Sequence, residues 1–246
     1  MNATAKLEGG GRLLSTVFAA RDAFEARQYD KVVELMSGVL SQIGRLAPQD
    51  WVMLGISLRS IGRYHAALGC YRTAVDAGLD EDAAHFSRLA MVHKDLKNYS
   101  IAQECAEHSL SLSDDRNIRL NYAILLREMK RFDEALKIFD DLRDQHPGDA
   151  GLAWERAFVR LYQSQDSEAW EAFEARFDAG KIPFHPIMQL APRWQGEDLR
   201  GKRLFLMREQ GFGDTILMLR FIPVLKRMGA VVTLECKPEL LRLAKH

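Results

Sequence analysis

Cysteines are few, and none is spaced for a metal site or a disulfide framework. The three of them, Cys70, Cys105 and Cys236, lie far apart in the 246-residue chain and form no Cys-x-x-Cys pair. This usage argues against a disulfide-rich secreted domain and favours reduced, buried thiols in a cytoplasmic protein. Cys105 and His108 share one helix face, but too few ligands accompany them, so no metal site is predicted.

A long apolar run and a net charge are also missing. No run approaches the ~18 residues of a membrane span, so none is predicted. Residues 1–12 lack the basic-then-apolar order of a signal peptide and are expected to be a flexible lead-in.

Basic and acidic residues number 34 each, so bulk charge gives no reason to expect nucleic acid. Residues 181–246 nevertheless hold 12 basic and 6 acidic residues, which suggests two units with different partners.

Internal repetition is what the sequence has instead, at steps of 33 to 35 residues. A small residue of a first helix recurs as Ala20, Gly55, Ala90, Ala123 and Ala157. The facing residue of a second helix recurs as Val32, Ala67, Ala102, Ala135 and Ala169, and its larger neighbour as Met36, Tyr71, Ala106, Phe139 and Phe173. Antiparallel helices approach closely only where small side chains face each other. The columns therefore predict five helical hairpins.

These columns resemble the tetratricopeptide-repeat family over residues 13–180. The resemblance implies a mainly α, right-handed solenoid of about five hairpins, in which the first helix of each hairpin lines a concave groove. A protein or peptide ligand is expected there. The predicted groove residues are Val52, Ile56, Arg59, Met91, Lys94, Leu120, Ile124, Arg127, Trp154 and Phe158. Three of these, Arg59, Lys94 and Arg127, form a basic column that suits an extended peptide with acidic character; the alternative is ordinary solvated charge.

After residue 180 the pattern changes to an α/β one. Residues 181–201 carry three prolines and indicate an extended connector. Residues 202–208 form a short apolar strand candidate, and residues 215–229 have helical spacing with Pro223 at a kink. Residues 230–236 are β-branched and predict a second strand. Together they predict a βαβ unit with parallel strands, the start of an incomplete α/β domain at residues 202–246.

The loop Glu-Gln-Gly-Phe-Gly-Asp at residues 209–214 lies between the first strand and the helix. Backbone N–H groups at such a helix start favour an anion or a polar sugar group. A dinucleotide-binding fingerprint is one alternative. Gly211 and Gly213 match its first two glycines and Glu235 its ribose-binding acid, but Ile216 takes the place of the third glycine.

A more extensive likeness covers residues 168–246. Its matching positions are Trp194, Gly196, Gly201, Lys202, Glu209, Gln210, Gly211, Gly213, Asp214, Thr215, Arg220 and Pro223. They resemble bacterial proteins in which tetratricopeptide repeats precede a heptosyltransferase-like glycosyltransferase domain of the GT-B architecture. The resemblance implies an acceptor loop formed by Glu209, Gln210, Gly211, Gly213 and Thr215. It also implies that Asp214 is the catalytic base toward the acceptor hydroxyl; the alternative is that Asp214 is only a helix N-cap.

The resemblance implies more chain than the sequence contains. In such enzymes a second Rossmann-like half holds the donor, so this chain is expected to be truncated, without a cofactor of its own and inactive alone. A nucleotide-sugar donor is expected only in a full-length protein. The expected function is acceptor recognition by a bacterial protein glycosyltransferase, with flagellin as an acceptor that the resemblance suggests. A non-enzymatic interaction scaffold and a dinucleotide-binding regulator stay open as alternatives.

Overall fold

The chain forms two compact units, Met1–Ala175 and Arg176–His246, in a computed structural model. The structure describes residues 3–39, 46–163, 167–180, 185–208 and 211–245, with side chains from residue 13 onward. Within this described part, no helix combines the length and the apolar character that crossing a membrane requires.

Helical hairpins build the first unit. Its helices are α1 (Ala3–Glu25), α2 (Tyr29–Ser37), α3 (Pro48–Ser60), α4 (Tyr64–Asp76), α5 (Ala83–Asp95), α6 (Tyr99–Leu112), α7 (Arg116–Glu128), α8 (Phe132–Gln145), α9 (Ala150–Gln163) and α10 (Ser167–Phe173). Each odd-numbered helix packs against the even-numbered helix that follows it. The predicted fold class, a mainly α solenoid of five hairpins, is confirmed.

The two columns of small residues are the surfaces on which the helices of each hairpin cross. The alanines of the first column are at most 2% exposed, and every residue of the second column is 0% exposed. Gly55 is buried as well, with Tyr71 (1% exposed) packed directly on it. The third hairpin has Ala90 and Ala106 at the corresponding positions. The second hairpin thus combines a glycine with a large ring where the third combines two alanines.

The three cysteines are all free thiols. Cys70 is buried, and burial raises the pKa of its thiol to about 11. It therefore stays protonated and poorly nucleophilic at neutral pH. Cys105 and Cys236 are only half-buried, so the prediction of three buried thiols is wrong for these two.

One backbone arrangement ends the first helix of four hairpins. The residue two positions before the second helix has a positive φ: Arg27 at 56°, Gly62 at 80°, Lys97 at 63° and Lys130 at 62°. At Gly62, the N–H of Arg63 donates to the carbonyl of Leu58 over 2.8 Å, and the N–H of Gly62 donates to that of Arg59 over 3.0 Å. These are the two bonds of a Schellman C-cap. A left-handed conformation costs an L side chain roughly 1–2 kcal/mol. Of these four described turns, the one at Gly62 avoids that cost.

We expect Gly62→Ala to lower the free energy of unfolding by about 1 kcal/mol, because the new methyl group disfavours the positive φ. Gly69 is the matched control, since it lies exposed within α4 and a Cβ there would meet nothing within 4 Å. Gly69→Ala should therefore raise the same free energy by about 0.5–1 kcal/mol. Urea unfolding followed by circular dichroism measures both, and equal changes in the two variants would contradict the assigned turn.

The rest of the chain contains the predicted βαβ segment. Its elements are α11 (Ala175–Asp178), α12 (Ile187–Leu190), β1 (Arg203–Leu206), α13 (Phe212–Leu219), α14 (Ile222–Arg227), β2 (Val231–Leu234), a 3-10 turn (Pro238–Leu240) and α15 (Leu241–Ala244). The two strands pair in parallel, with Arg203 opposite Val231 and Leu206 opposite Leu234. The single kinked helix predicted over 215–229 is wrong, because two helices occupy 212–227. Pro223 lies in the first turn of α14, where its missing N–H leaves no helical bond unmade.

Apolar side chains cover much of the surface of this second unit. Its described residues include four buried apolar side chains, Leu199, Leu225, Ala230 and Leu240, of which the first three pack as one cluster. Helix α13 buries none of its residues. Large apolar residues at least 38% exposed are Leu190, Trp194, Phe205, Phe212, Ile216, Leu217, Met218, Phe221, Val224, Met228, Val231, Leu241 and Leu243. Parallel sheets are normally covered on both faces. Here Leu204, Leu206 and Val232 are half-buried against the small cluster, while Phe205 and Val231 on the same strands stay exposed.

Candidate functional site: the groove face and the loop after β1

Side-chain bonds tie the first helices of successive hairpins into one continuous face. The bonds are Arg21–Asp50 between α1 and α3, Arg59–Asp95 between α3 and α5, Asn121–Ser87 between α7 and α5, and Arg127–Glu155 between α7 and α9. This face carries the residues that the sequence predicts for the groove.

One carboxylate of the solenoid itself, that of Asp95, pairs with both cations in the first part of the predicted basic column. The Arg59 Nε donates to Asp95 Oδ2 over 2.6 Å, and the Lys94 Nζ lies 3.0 Å from the other oxygen of the same carboxylate. Both cationic side chains are at most 30% exposed. Arg59 and Lys94 therefore form ion pairs with the same carboxylate, which links the second and third hairpins. Both side chains are engaged within the solenoid.

Arg127 pairs with two carboxylates through its two terminal nitrogens. Its guanidinium, 13% exposed, bonds to Glu155 on α9 and to Glu128 on its own helix, the latter over 3.1 Å. The same group lies over the Phe158 ring, 5.1 Å from its centroid, in a cation–π geometry. Arg127 thus joins the fourth hairpin to the fifth.

Sequence reasoning missed the acids that face this column. Asp95 directly follows Lys94 and Glu128 directly follows Arg127, at the same position of their repeats. That acidic column was the signal available in the sequence. Glu155 gave no such signal, because its role depends on the spacing between α7 and α9.

We expect Arg127→Ala to lower the free energy of unfolding by about 1–3 kcal/mol, because Glu155 is only 14% exposed and would lose its partner. Arg143 provides the control, since it is 40% exposed and pairs only within α8. Arg143→Ala should cost less than about 1 kcal/mol, as exposed ion pairs do. Urea midpoints distinguish the two, and an equal, small change in both would mean that Arg127 does not hold hairpins together.

The apolar groove residues differ in how much surface they present. Val52 and Met91 are buried, at 9% and 7% exposure, so they contribute little to any contact with a partner. Ile56, Leu120, Ile124, Trp154 and Phe158 are half-buried. The open apolar part of the face is therefore weighted toward the fourth and fifth hairpins.

The loop after β1 leads directly into α13, and Asp214 closes its first turn. The helix begins at Phe212 with Gly211 as N-cap, so the alternative that Asp214 is the N-cap is wrong in position. Asp214 is the third helical residue, and its Oδ2 accepts the N–H of Gly211 over 3.2 Å. The Thr215 hydroxyl donates back to the Gly211 carbonyl over 3.1 Å. Asp214 remains exposed and thus accessible to a ligand.

Glu235 directly follows β2 and bonds to the segment that follows β1. Its Oε2 accepts the N–H of Arg208 over 3.1 Å and lies 3.7 Å from His185 Nε2. The N–H of Ile187 donates to His185 Nδ1 over 3.2 Å. In the neutral ring the proton therefore sits on Nε2, facing Glu235. Sequence reasoning considered Glu235 as a ribose ligand and did not find His185.

The remaining residues of the predicted acceptor loop are described only in part. Glu209 and Gln210 of the predicted acceptor loop lie outside the described residues. Gly211 and Gly213 are exposed, and a Cβ at Gly213 would meet nothing within 4 Å. In the described ranges, no group of three His, Cys, Asp or Glu side chains is placed to hold a metal ion.

Parts of the chain are similar in sequence to known proteins. No family model matches the chain. The protein FlbA of Caulobacter vibrioides is 29% identical over 179 residues, which are 69% of this chain and 29% of FlbA. The mouse protein "N-alpha-acetyltransferase 16, NatA auxiliary subunit" is 31% identical over 121 residues, 47% of this chain and 13% of that protein. The chain therefore spans less than a third of the length of either relative.

A solved structure gives the fold comparison. The tetratricopeptide-repeat protein of Parabacteroides merdae superposes with a TM-score of 0.55 at 19% identity, covering 67% of this chain and 64% of that one. At this identity the likeness concerns the fold alone. Together with the five hairpins and their buried columns, it shows that the first unit has the tetratricopeptide-repeat solenoid fold.

Proposed function

We propose that this chain is the acceptor-recognition region of a bacterial protein glycosyltransferase. The solenoid groove binds the acceptor protein, of which flagellin is one candidate from the family resemblance. The loop at residues 209–214 belongs to the acceptor half of a GT-B domain that begins near residue 202, after the connector at 181–201. The protein acts in the cytoplasm, where nucleotide-sugar donors are available to such enzymes.

The open apolar surface of the second unit is the observation that carries this proposal. A βαβ unit whose crossover helix α13 buries none of its residues has the composition of a domain interior, not of a finished surface. Two short strands are also below the size at which a sheet is stable alone. Further parallel strands and helices of a larger α/β domain would cover these side chains, and the glycosyltransferase domain suggested by the family resemblance is one such domain.

The placement of Asp214 supports the same function. It lies beyond the carboxyl end of β1, at the edge where ligands bind in open α/β sheets. Its carboxylate is exposed and is held by the Gly211 N–H, so its position is fixed while its second oxygen stays available. A carboxylate so placed can accept the proton of an acceptor hydroxyl as the sugar is transferred. The nucleotide-sugar donor would be held by a second half of the domain.

The test uses the natural full-length protein. The gene downstream of the codon for His246 should encode the remainder of the α/β domain and a second half of roughly 150 residues. The purified full-length protein should transfer a labelled sugar from a nucleotide donor to its acceptor. Deleting residues 1–175 should abolish transfer to the protein acceptor but leave slow donor hydrolysis. A stop codon after His246, or transfer unaffected by the deletion, would refute the proposal.

A non-enzymatic interaction scaffold is the second candidate. One relative is named an auxiliary subunit of an acetyltransferase, so a sequence similar to part of this chain occurs in a protein named for accompanying an enzyme. If this function applies, the full-length protein binds its partner equally well with or without nucleotide sugars and transfers nothing.

A further inference from the structure

The chemistry of the groove face changes at the fifth hairpin. The position that carries a cation in three hairpins, as Arg59, Lys94 and Arg127, carries Leu161 in the fifth. The next position, acidic at Asp95 and Glu128, carries Tyr162. Together with Trp154 and Phe158 these residues form one apolar stripe along α9, which we name the aromatic end: Trp154, Phe158, Leu161 and Tyr162.

Ring contacts preorganise the aromatic end. The centroids of Trp154 and Phe158 lie 5.3 Å apart, and those of Phe158 and Tyr162 lie 5.2 Å apart with perpendicular rings. Phe132 stacks on Tyr162 at 5.6 Å and 11°, which orients the Tyr162 ring although its side chain is 61% exposed. Trp154 and Phe158 are half-buried and also pack on Phe173, at 4.8 and 6.2 Å between centroids, so Tyr162 presents most of the open ring surface. Rings fixed by their neighbours lose little entropy on binding, which is a property of interface anchors.

The charges around this stripe argue against an acidic ligand. The Arg127 guanidinium above Phe158 is already bonded to Glu155 and Glu128. Asp95 is shared by Arg59 and Lys94, so the one surplus positive charge of this group lies in the second and third hairpins and not in the fifth. A ligand carboxylate at the fifth hairpin would have to compete with Glu128 or Glu155 for Arg127. The displaced acid would be left half-buried without its partner, which costs free energy. An uncharged apolar ligand meets no such cost.

We propose that the aromatic end binds an uncharged peptide segment through a bulky apolar side chain, and that Arg59, Lys94 and Arg127 tie the hairpins together without contacting the ligand. This rests on the proposed role of the groove in binding an acceptor protein. It replaces the acidic peptide that the basic column suggested with a segment rich in aromatic or large aliphatic residues. Peptides of this kind gain affinity by burying rings against rings.

The test is selection of a random-peptide library, displayed on phage, against the immobilised 246-residue chain. The selected peptides should be enriched in Trp, Phe, Leu and Ile and depleted in Asp and Glu. For one synthetic peptide from the selection, Tyr162→Ala and Trp154→Ala should each weaken the Kd by about tenfold or more, the scale of an interface anchor. Tyr162 is largely exposed, so its removal should leave the melting curve nearly unchanged.

Ile101→Ala is the matched control, because Ile101 is 44% exposed on α6, a second helix outside the groove face. The Kd should not change in this variant. Enrichment of acidic peptides that lose affinity in Arg59→Ala overturns the inference while leaving groove recognition intact. Apolar peptides that bind equally well to Tyr162→Ala and Trp154→Ala, or no apolar peptide at all, overturn it too. Absence of sugar transfer by the full-length protein would refute the proposed function without affecting this peptide binding.

Discussion

Replacing Gly55 by alanine is expected to lower the free energy of unfolding of the solenoid by about 1–3 kcal/mol, the scale of overpacking. A Cβ at this position would lie 2.5 Å from Cε1 and 2.8 Å from Cδ1 of Tyr71, far inside contact distance. Tyr71 is 1% exposed, so its ring has little room to withdraw. The gain in helix propensity from Gly to Ala, about 0.5–1 kcal/mol, is smaller than this clash.

A double-mutant cycle isolates the cause. Tyr71→Ala alone should cost about 3–5 kcal/mol, as truncation of a buried aromatic ring does. In that background Gly55→Ala should become neutral or slightly stabilising, because the third hairpin already accommodates Ala90 with Ala106 at these positions. Urea unfolding of the four proteins gives the coupling free energy, which should be at least about 1 kcal/mol. Additive effects would mean that Tyr71 does not pack on Gly55.

The solenoid could be predicted because small side chains recur in the sequence at the positions where the helices of each hairpin cross. Ala67, Ala102, Ala135 and Ala169 must be small wherever two helices cross, and their spacing sets the length of a hairpin. Each crossing is local, so it needs no knowledge of distant parts of the chain. The fold of the first unit could therefore be predicted with its register, and all four residues are 0% exposed.

The groove chemistry could not be predicted in the same way. A column of cations at Arg59, Lys94 and Arg127 is visible in the sequence, but whether it faces solvent depends on which acid reaches it from the next helix. Asp95 lies 36 positions after Arg59 and Glu155 lies 28 positions after Arg127. Such pairs depend on the spacing of neighbouring hairpins and on side-chain rotamers, which the pattern of small residues does not specify.

The first residue of α13 also could not be predicted from the sequence. The sequence pattern Gly-Phe-Gly-Asp-Thr allows a helix to begin at either Phe212 or Thr215, because Gly211 and Asp214 are both acceptable N-caps. The structure begins the helix at Phe212, and the Asp214 side chain accepts the N–H of the N-cap residue Gly211. Two competing caps within one turn differ by too little free energy for sequence preference to decide between them.

Asp214→Asn in the natural full-length protein should reduce sugar transfer by roughly 10²-fold or more, the scale of losing a positioned base. The amide oxygen of asparagine can still accept the Gly211 N–H that Asp214 Oδ2 accepts over 3.2 Å, so the first turn of α13 keeps its bond. Asparagine cannot take up a proton near neutral pH. Folding and acceptor binding should therefore stay nearly unchanged while kcat falls.

Asp214→Ala separates the two roles of this carboxylate. It should lose transfer to the same extent, and it should also destabilise the start of α13 by about 1 kcal/mol because the Gly211 N–H loses its acceptor. Hydrogen exchange of the amides in Phe212–Leu219 measures this second effect in the 246-residue chain, where Asp214→Asn should protect like the parent. If the full-length Asp214→Asn protein transfers sugar at the parental rate, the Asp214 side chain serves only to accept the Gly211 N–H at the start of the helix. The base would then have to be another group at this edge of the sheet, and Glu235 with its neighbour His185 would be the next pair to replace.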